Sequence, residues 1–124
     1  MTRTRSSAKQ AGTKAESDVA RHLARELNDD RIERRAKSGA KDRGDVGGVR
    51  LPGGGRVVIE VKDCARIDLA GWVAEAEIER GNDDAEVGVV WHKRSGKSNP
   101  ADWYVTMTGH TFMRLLGATT TEET

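Results

Sequence analysis

A chain of 124 residues, 35% hydrophobic and 33% charged, has the material for one compact domain with a modest core, and little left over for a second. No apolar run approaches the roughly 18 residues that crossing a bilayer requires, and a single cysteine, Cys64, excludes an internal disulfide. The net charge of +1 hides an asymmetry: residues 1–43 hold twelve Lys and Arg against seven Asp and Glu, whereas the remainder holds nine against thirteen.

The basic first third suits a polyanion such as nucleic acid, the alternative being a solvated basic tail. The thin core leaves room for a homodimer, in which a second copy covers part of the apolar surface. Cys64 reads as a small half-buried filler. Met1 to Gln10 has charges but no apolar stretch, so a secretory signal is not expected and a cytoplasmic location is.

Residues 1–13 hold almost nothing to bury and are expected to form a disordered basic arm, followed by a folded domain over 14–117 and a flexible tail over 118–124. A first helix is expected over 14–27, with Ala15, Val19, Leu23 and Leu27 on one stripe and Asn28-Asp29-Asp30 stopping it. A short strand over 31–37 and a loop over 38–44 follow. Residues 45–51 and 56–62 read as a hairpin around Pro52-Gly53-Gly54-Gly55. In the second arm Val57, Ile59 and Val61 point into a core, and Val58, Glu60 and Lys62 point the other way. A second helix is expected over 68–80, with Leu69, Trp72, Val73 and Ala76 buried and Glu75, Glu77 and Glu79 on a solvated face, the alternative being that Glu75 or Glu79 comes near Lys62. Strands over 86–93 and 103–107 and a helix capped by Thr108 complete the chain, with Phe112, Leu115 and Leu116 packing inward. Trp72, Trp91 and Trp103 each fall in an apolar stripe and read as core. The order α-β-β-β-α-β-β-α predicts an α/β sandwich around a mixed central sheet.

A hairpin centred between Pro52 and Gly53 sets Asp45 opposite Glu60, and opposed residues have Cβ atoms about 4.5–5.5 Å apart. Like charges so placed repel unless something positive lies between them. Lys62 is two residues from Glu60 on the same face, and a divalent cation would supply the rest. Mg²⁺ takes oxygen ligands of this kind. The alternative is an ordinary Glu–Lys pair at a strand end with Asp45 as a turn residue. Against it, Glu60 interrupts the most apolar strand in the chain, and Asp45 is flanked by Gly44 and by Val46-Gly47-Gly48, where bare backbone lets a bulky anion approach.

Gly44-Asp45, followed by Val58-Ile59-Glu60-Val61-Lys62 after a helix containing Glu16, resembles the PD-(D/E)XK nuclease superfamily, in particular small Holliday junction resolvases of the archaeal and phage type. The resemblance runs over about residues 12–116. It implies a restriction-endonuclease-like three-layer α/β/α sandwich with a central mixed sheet, and a homodimer acting on branched or four-way junction DNA. It also implies Mg²⁺, for which Mn²⁺ can substitute, held by Asp45, Glu60 and Glu16, with Lys62 as catalytic lysine; a phage-encoded chain would work in the host cytoplasm. One departure is that Gly44, not proline, precedes Asp45. The basic segment before Asp45, with Arg34, Arg35, Lys37, Ser38, Lys41 and Arg43, is placed to straddle backbone phosphates, and Lys93 ends a strand where it can touch DNA. Two other functions stay open: another endonuclease of the superfamily acting on duplex or flapped DNA, and a non-catalytic nucleic-acid-binding protein on the same fold.

Overall fold

The computed structural model describes residues 3–36 and 41–119. Within them the elements follow the expected order: α1 (Arg5–Glu26), β1 (Glu33–Arg34), β2 (Val46–Gly47), β3 (Val57–Lys62), α2 (Leu69–Asp83), β4 (Val87–His92), β5 (Tyr104–Thr106) and α3 (Gly109–Leu115), with a 3₁₀ turn at Pro100–Asp102 ahead of β5.

The five strands form one open sheet in sequence order. Strands β3 and β4 are parallel, and every other neighbouring pair is antiparallel. A parallel pair needs a long crossover, and α2 provides it. The two central strands are covered on both faces. Helix α1 sets Ala15, Val19 and Ala20 against Ile59, Val61 and Val89, together with Trp103. On the opposite face α2 sets Trp72 and Ala76 against Val90. The fold is therefore α/β, with a mixed sheet and three helices, and the alternation expected for β3 is observed. No helix among the described residues is long and apolar enough to cross a membrane.

Several boundaries differ from expectation, each for a local reason. Helix α1 begins at Arg5 rather than at residue 14, so most of the expected arm is helical. Thr4 and Ser7 form a reciprocal capping box that satisfies otherwise orphaned first-turn N–H groups. The Arg3 guanidinium is tied to the Asp63 carboxylate at 3.0 Å. Helix α2 runs past Gly81-Asn82 and stops at Asp84, whose φ of +52° marks a left-handed cap. Leu69 is exposed rather than buried, as is Cys64. In α3 the Thr108 cap is present, but Phe112, Leu115 and Leu116 are exposed and Thr111 is the buried residue. The expected tail lies mostly outside the described residues.

The hairpin carries the detail that matters most. Val46 faces Ile59, the register expected from the turn. Nearer the turn, however, Arg50 bridges Arg56, which leaves one extra residue in the first arm. A bulge around Gly48, at φ +89°, absorbs it. A Cβ at that position would come within 2.6 Å of the Arg31 carbonyl oxygen. Gly48→Ala is therefore expected to destabilise the fold by about 1–3 kcal/mol, read as a lowered urea midpoint; an unchanged midpoint would show that the bulge does not hold the hairpin register.

Candidate active site

The β2–β3 ladder ends just before Asp45, and that ending places its carboxylate. The Asp45 N–H donates to the Ile59 carbonyl at 2.9 Å, while its carbonyl accepts the Arg35 N–H at 2.8 Å. Its Oδ2 then accepts the Val61 N–H at 2.8 Å. Asp45 thus brackets Glu60, binding the backbone of the residue on either side of it. Gly44 makes this possible with φ +97°. Proline, fixed near −65°, has no access to that conformation, so a glycine before Asp45 has a backbone cause.

Glu60 lies mid-sheet and is only 4% exposed. Lys62, on the same face, sets its ammonium 3.1 Å from Glu60 Oε2 and 2.9 Å from Glu75 Oε1 on α2. Asp45, Glu60 and Lys62 line a cleft of about 750 Å³, and Glu16 of α1 lines it too. Glu16 is close enough for its charge to act on Asp45 and is engaged by Arg34 Nε at 2.9 Å.

The electrostatics are dominated by burial of like charge. Burial, then the neighbouring Glu60 charge, pushes the Asp45 carboxyl up to about 8; the Val61 N–H opposes this and Glu16 adds to it. Glu60 is also raised, by burial first and then by the adjoining Glu79 carboxyl, with Lys62 working against the shift. For Lys62, burial disfavours the charge, but Glu75 and Glu60 outweigh it and hold the ammonium above its ordinary range. It is therefore a fixed positive charge at neutral pH.

Glu79, expected on a solvated face with a place near Lys62 as the lesser alternative, is buried at the site. It is 1% exposed, faces Glu60 from α2, and neither of its carboxylate oxygens has a hydrogen-bond partner. Burial raises it as well, the Asp42, Asp45 and Glu75 charges adding to the shift and the Glu60 contact opposing it. Asp42, Glu60 and Glu79 bring oxygens within 4.8 Å of one another. Of the other helix acids, Glu75 engages Lys62, and Glu77 pairs with Arg80 at 2.7 Å. The donor set around Asp45 and Glu60 is all carboxyl oxygen, with Glu60 buried and Asp45 half-buried. Glu60 Oε1 also lacks a partner. These residues fit a hard divalent cation such as Mg²⁺.

The expected DNA-binding residues divide. Arg34 and Arg35 line the cleft. Arg35 also donates to the Arg43 carbonyl at 2.6 Å, fixing the chain as it enters Asp45. Lys41 and Arg43 are exposed on that approach. Lys37 and Ser38 lie outside the described residues. Lys93 belongs to an adjoining groove with Arg3 and Asp63, its ammonium 5.7 Å from the centre of the Trp103 ring. Comparison of the chain with protein-family models, with curated proteins and with solved structures finds no match.

The raised carboxyls set a pH dependence. In the folded chain Asp45 keeps its proton up to about 8, while its unfolded value is near 3.8. Between those values the native state binds more protons than the unfolded one, so stability falls as pH rises. The metal-free protein should therefore have its higher Tm at pH 5 and its lower at pH 9. Mg²⁺ at pH 9 should recover part of the loss, and Asp45→Asn should flatten the profile. A wild-type Tm that rises from pH 5 to 9 in chelator would contradict this account.

Proposed function

We propose that the chain is a metal-dependent DNA endonuclease of the PD-(D/E)XK type, with a restriction-endonuclease-like α/β/α sandwich, and that it acts as a Holliday junction resolvase. The observation that supports this reading is the convergence of Asp45, Glu60 and Lys62 in one cleft, with the ammonium against the buried Glu60 carboxylate. Glu16 at the wall and Arg34 and Arg35 at the rim complete the arrangement.

Asp45 and Glu60 would hold Mg²⁺, with Glu16 as the further acid, and the ion would polarise a phosphoryl oxygen and acidify bound water. Lys62 stays protonated, so it donates to a phosphate oxygen and offsets charge developing there rather than accepting a proton. Glu75 holds that ammonium from the helix side. Arg34 and Arg35 offer planar donor forks to the phosphates that flank the bond cut. Exposed Lys41 and Arg43 add contacts whose strength is mostly counterion release. A branched substrate suits this reading, because shape and backbone contacts that a single domain can make are enough to recognise it. A homodimer would supply the second cut, and exposed Phe112, Met113 and Leu116 offer apolar surface to a second copy.

The test is cleavage in Mg²⁺ of a four-way junction beside linear duplex, flap and single-stranded DNA. Symmetric nicking of the junction is expected, with Glu60→Gln and Lys62→Met each reducing the rate at least about 10²-fold while junction binding persists. Equal cutting of linear duplex would replace the resolvase by a less selective nuclease, and binding without cutting under any metal would remove catalysis. Lys41→Ala and Arg43→Ala should each lower the salt slope of junction binding by about 1, measured by titration at several salt concentrations. An unchanged slope would take that segment out of the interface.

A further inference from the structure

Behind the cleft, α2 turns Glu79 toward the sheet at a depth where its side chain is closed to solvent. Both carboxylate oxygens lack a hydrogen-bond donor, and Glu60 Oε1 shares that condition. An isolated buried carboxylate is costly enough that proteins pair it, protonate it or give it a metal. The Glu60 and Glu79 carboxyls adjoin, so a proton held between them is the competing arrangement, and the nearest cations among the described residues are already engaged. Lys62 is committed to Glu60 Oε2 and to Glu75. Arg35, from the β1 side, goes to the Arg43 carbonyl and to Asp83. The third acid, Asp42, is positioned by two backbone contacts: Asn82 Nδ2 of α2 donates to its carbonyl at 2.8 Å, and its Oδ1 accepts the Gly44 N–H at 2.9 Å. The loop before Asp45 is thus fastened to the same helix that carries Glu79.

The three acids present oxygens within 4.8 Å of one another. Oxygens in the shell of a single ion lie at most about 4–5 Å apart, twice a metal–oxygen distance of roughly 2.0–2.5 Å. We propose that Asp42, Glu60 and Glu79 form an inner site for a divalent cation of the Mg²⁺ or Mn²⁺ class, separate from the one that Asp45 and Glu60 would hold, with Glu60 shared between the two. The inner ion neutralises the buried Glu79 together with Asp42 and Glu60, which line the cleft, and fixes Glu60, through which it acts on the outer position. Asp42 and Glu79 are positioning residues in this arrangement. The nuclease reading bears only on what the inner site is used for, not on whether it binds.

Mn²⁺ alone, titrated into the full-length chain at pH 8 and followed by calorimetry and by the electron paramagnetic resonance of free Mn²⁺, tests this. The wild type should bind two ions per chain. Asp45→Asn should keep the inner ion and lose the outer. Glu79→Gln should keep the outer and weaken the inner at least ten-fold. Asp42→Asn reads the same pocket from its loop should Glu79→Gln fail to fold. If Glu79→Gln and Asp42→Asn both leave ion number and affinities at wild-type values, Glu79 is a buried protonated acid and the inner site does not exist. Two-ion, Glu79-dependent binding by a chain that cuts no DNA would uphold the inner site and remove the nuclease reading. Cleavage by a chain whose metal binding is indifferent to Glu79 would do the reverse.

Discussion

Burying several carboxylates beside one another in the middle of a sheet is the most expensive thing this chain does. Glu60 sits in the most apolar strand, and Asp45 and Glu79 crowd it from the neighbouring loop and from α2. The ammonium of Lys62 balances only part of that charge and is itself shared with Glu75. Without a further cation the acids hold protons well above the ordinary carboxylate range, which lets the fold tolerate them at neutral pH. Stability and site are therefore coupled: whatever supplies positive charge to the cleft also relieves strain that the fold carries without it.

The surrounding structure can be read as the means of holding that repulsive group together. The bulge at Gly48 gives the hairpin the register that brings Asp45 to Glu60, and the left-handed Gly44 lets the chain turn into it. The parallel crossover from β3 to β4 lays α2 over the sheet face that carries Glu60 and Lys62. Asn82 then fastens the opposite loop to α2. The outer ties are of another kind. Arg34 with Glu16 and Arg3 with Asp63 are partly solvated ion pairs, each worth about 0–1 kcal/mol. On the nuclease reading such guanidinium groups can be transferred to an incoming phosphate at little loss to the fold, whereas the inner acids cannot be rearranged so cheaply.

Where the sequence carried period and punctuation, it was informative. The strand alternation over 57–62 separated Ile59 and Val61 from Glu60 and Lys62, and the Pro-Gly-Gly-Gly turn set the register at Val46 and Ile59. That register was reached for an incomplete reason: counting outward from the turn ignores the extra residue near Gly48, where the backbone passes too close to Arg31 for a side chain, a neighbour that pattern alone does not reveal. Glu79 stood near the site only as the lesser alternative, although its position was visible. Trp72, Ala76 and Glu79 fall at successive steps of one helical stripe, but an acid on that stripe was assigned to solvent because side-chain chemistry was weighed above spacing. The exposed Phe112 and Leu116 invert the same error, since apolar chemistry stood in for a packing partner that the described chain does not supply.

Lys62 shows how the charge arrangement limits the chemistry. A lysine desolvated on its own loses its proton and becomes a base. Here burial pushes in that direction, but two carboxylates within 3.1 Å push harder the other way. The amine therefore enters any reaction already charged, able to donate but not to accept. On the nuclease reading the proton released by the attacking water must pass to a carboxylate or to solvent, and Glu75, at 44% side-chain exposure, is the acid in contact with both Lys62 and the outside. Glu60 cannot take that part while it supports a cation, because protonating it would remove the ligand that the cation depends on. The division of labour follows from burial: the enclosed acids hold charge in place, and the exposed one is free to exchange it.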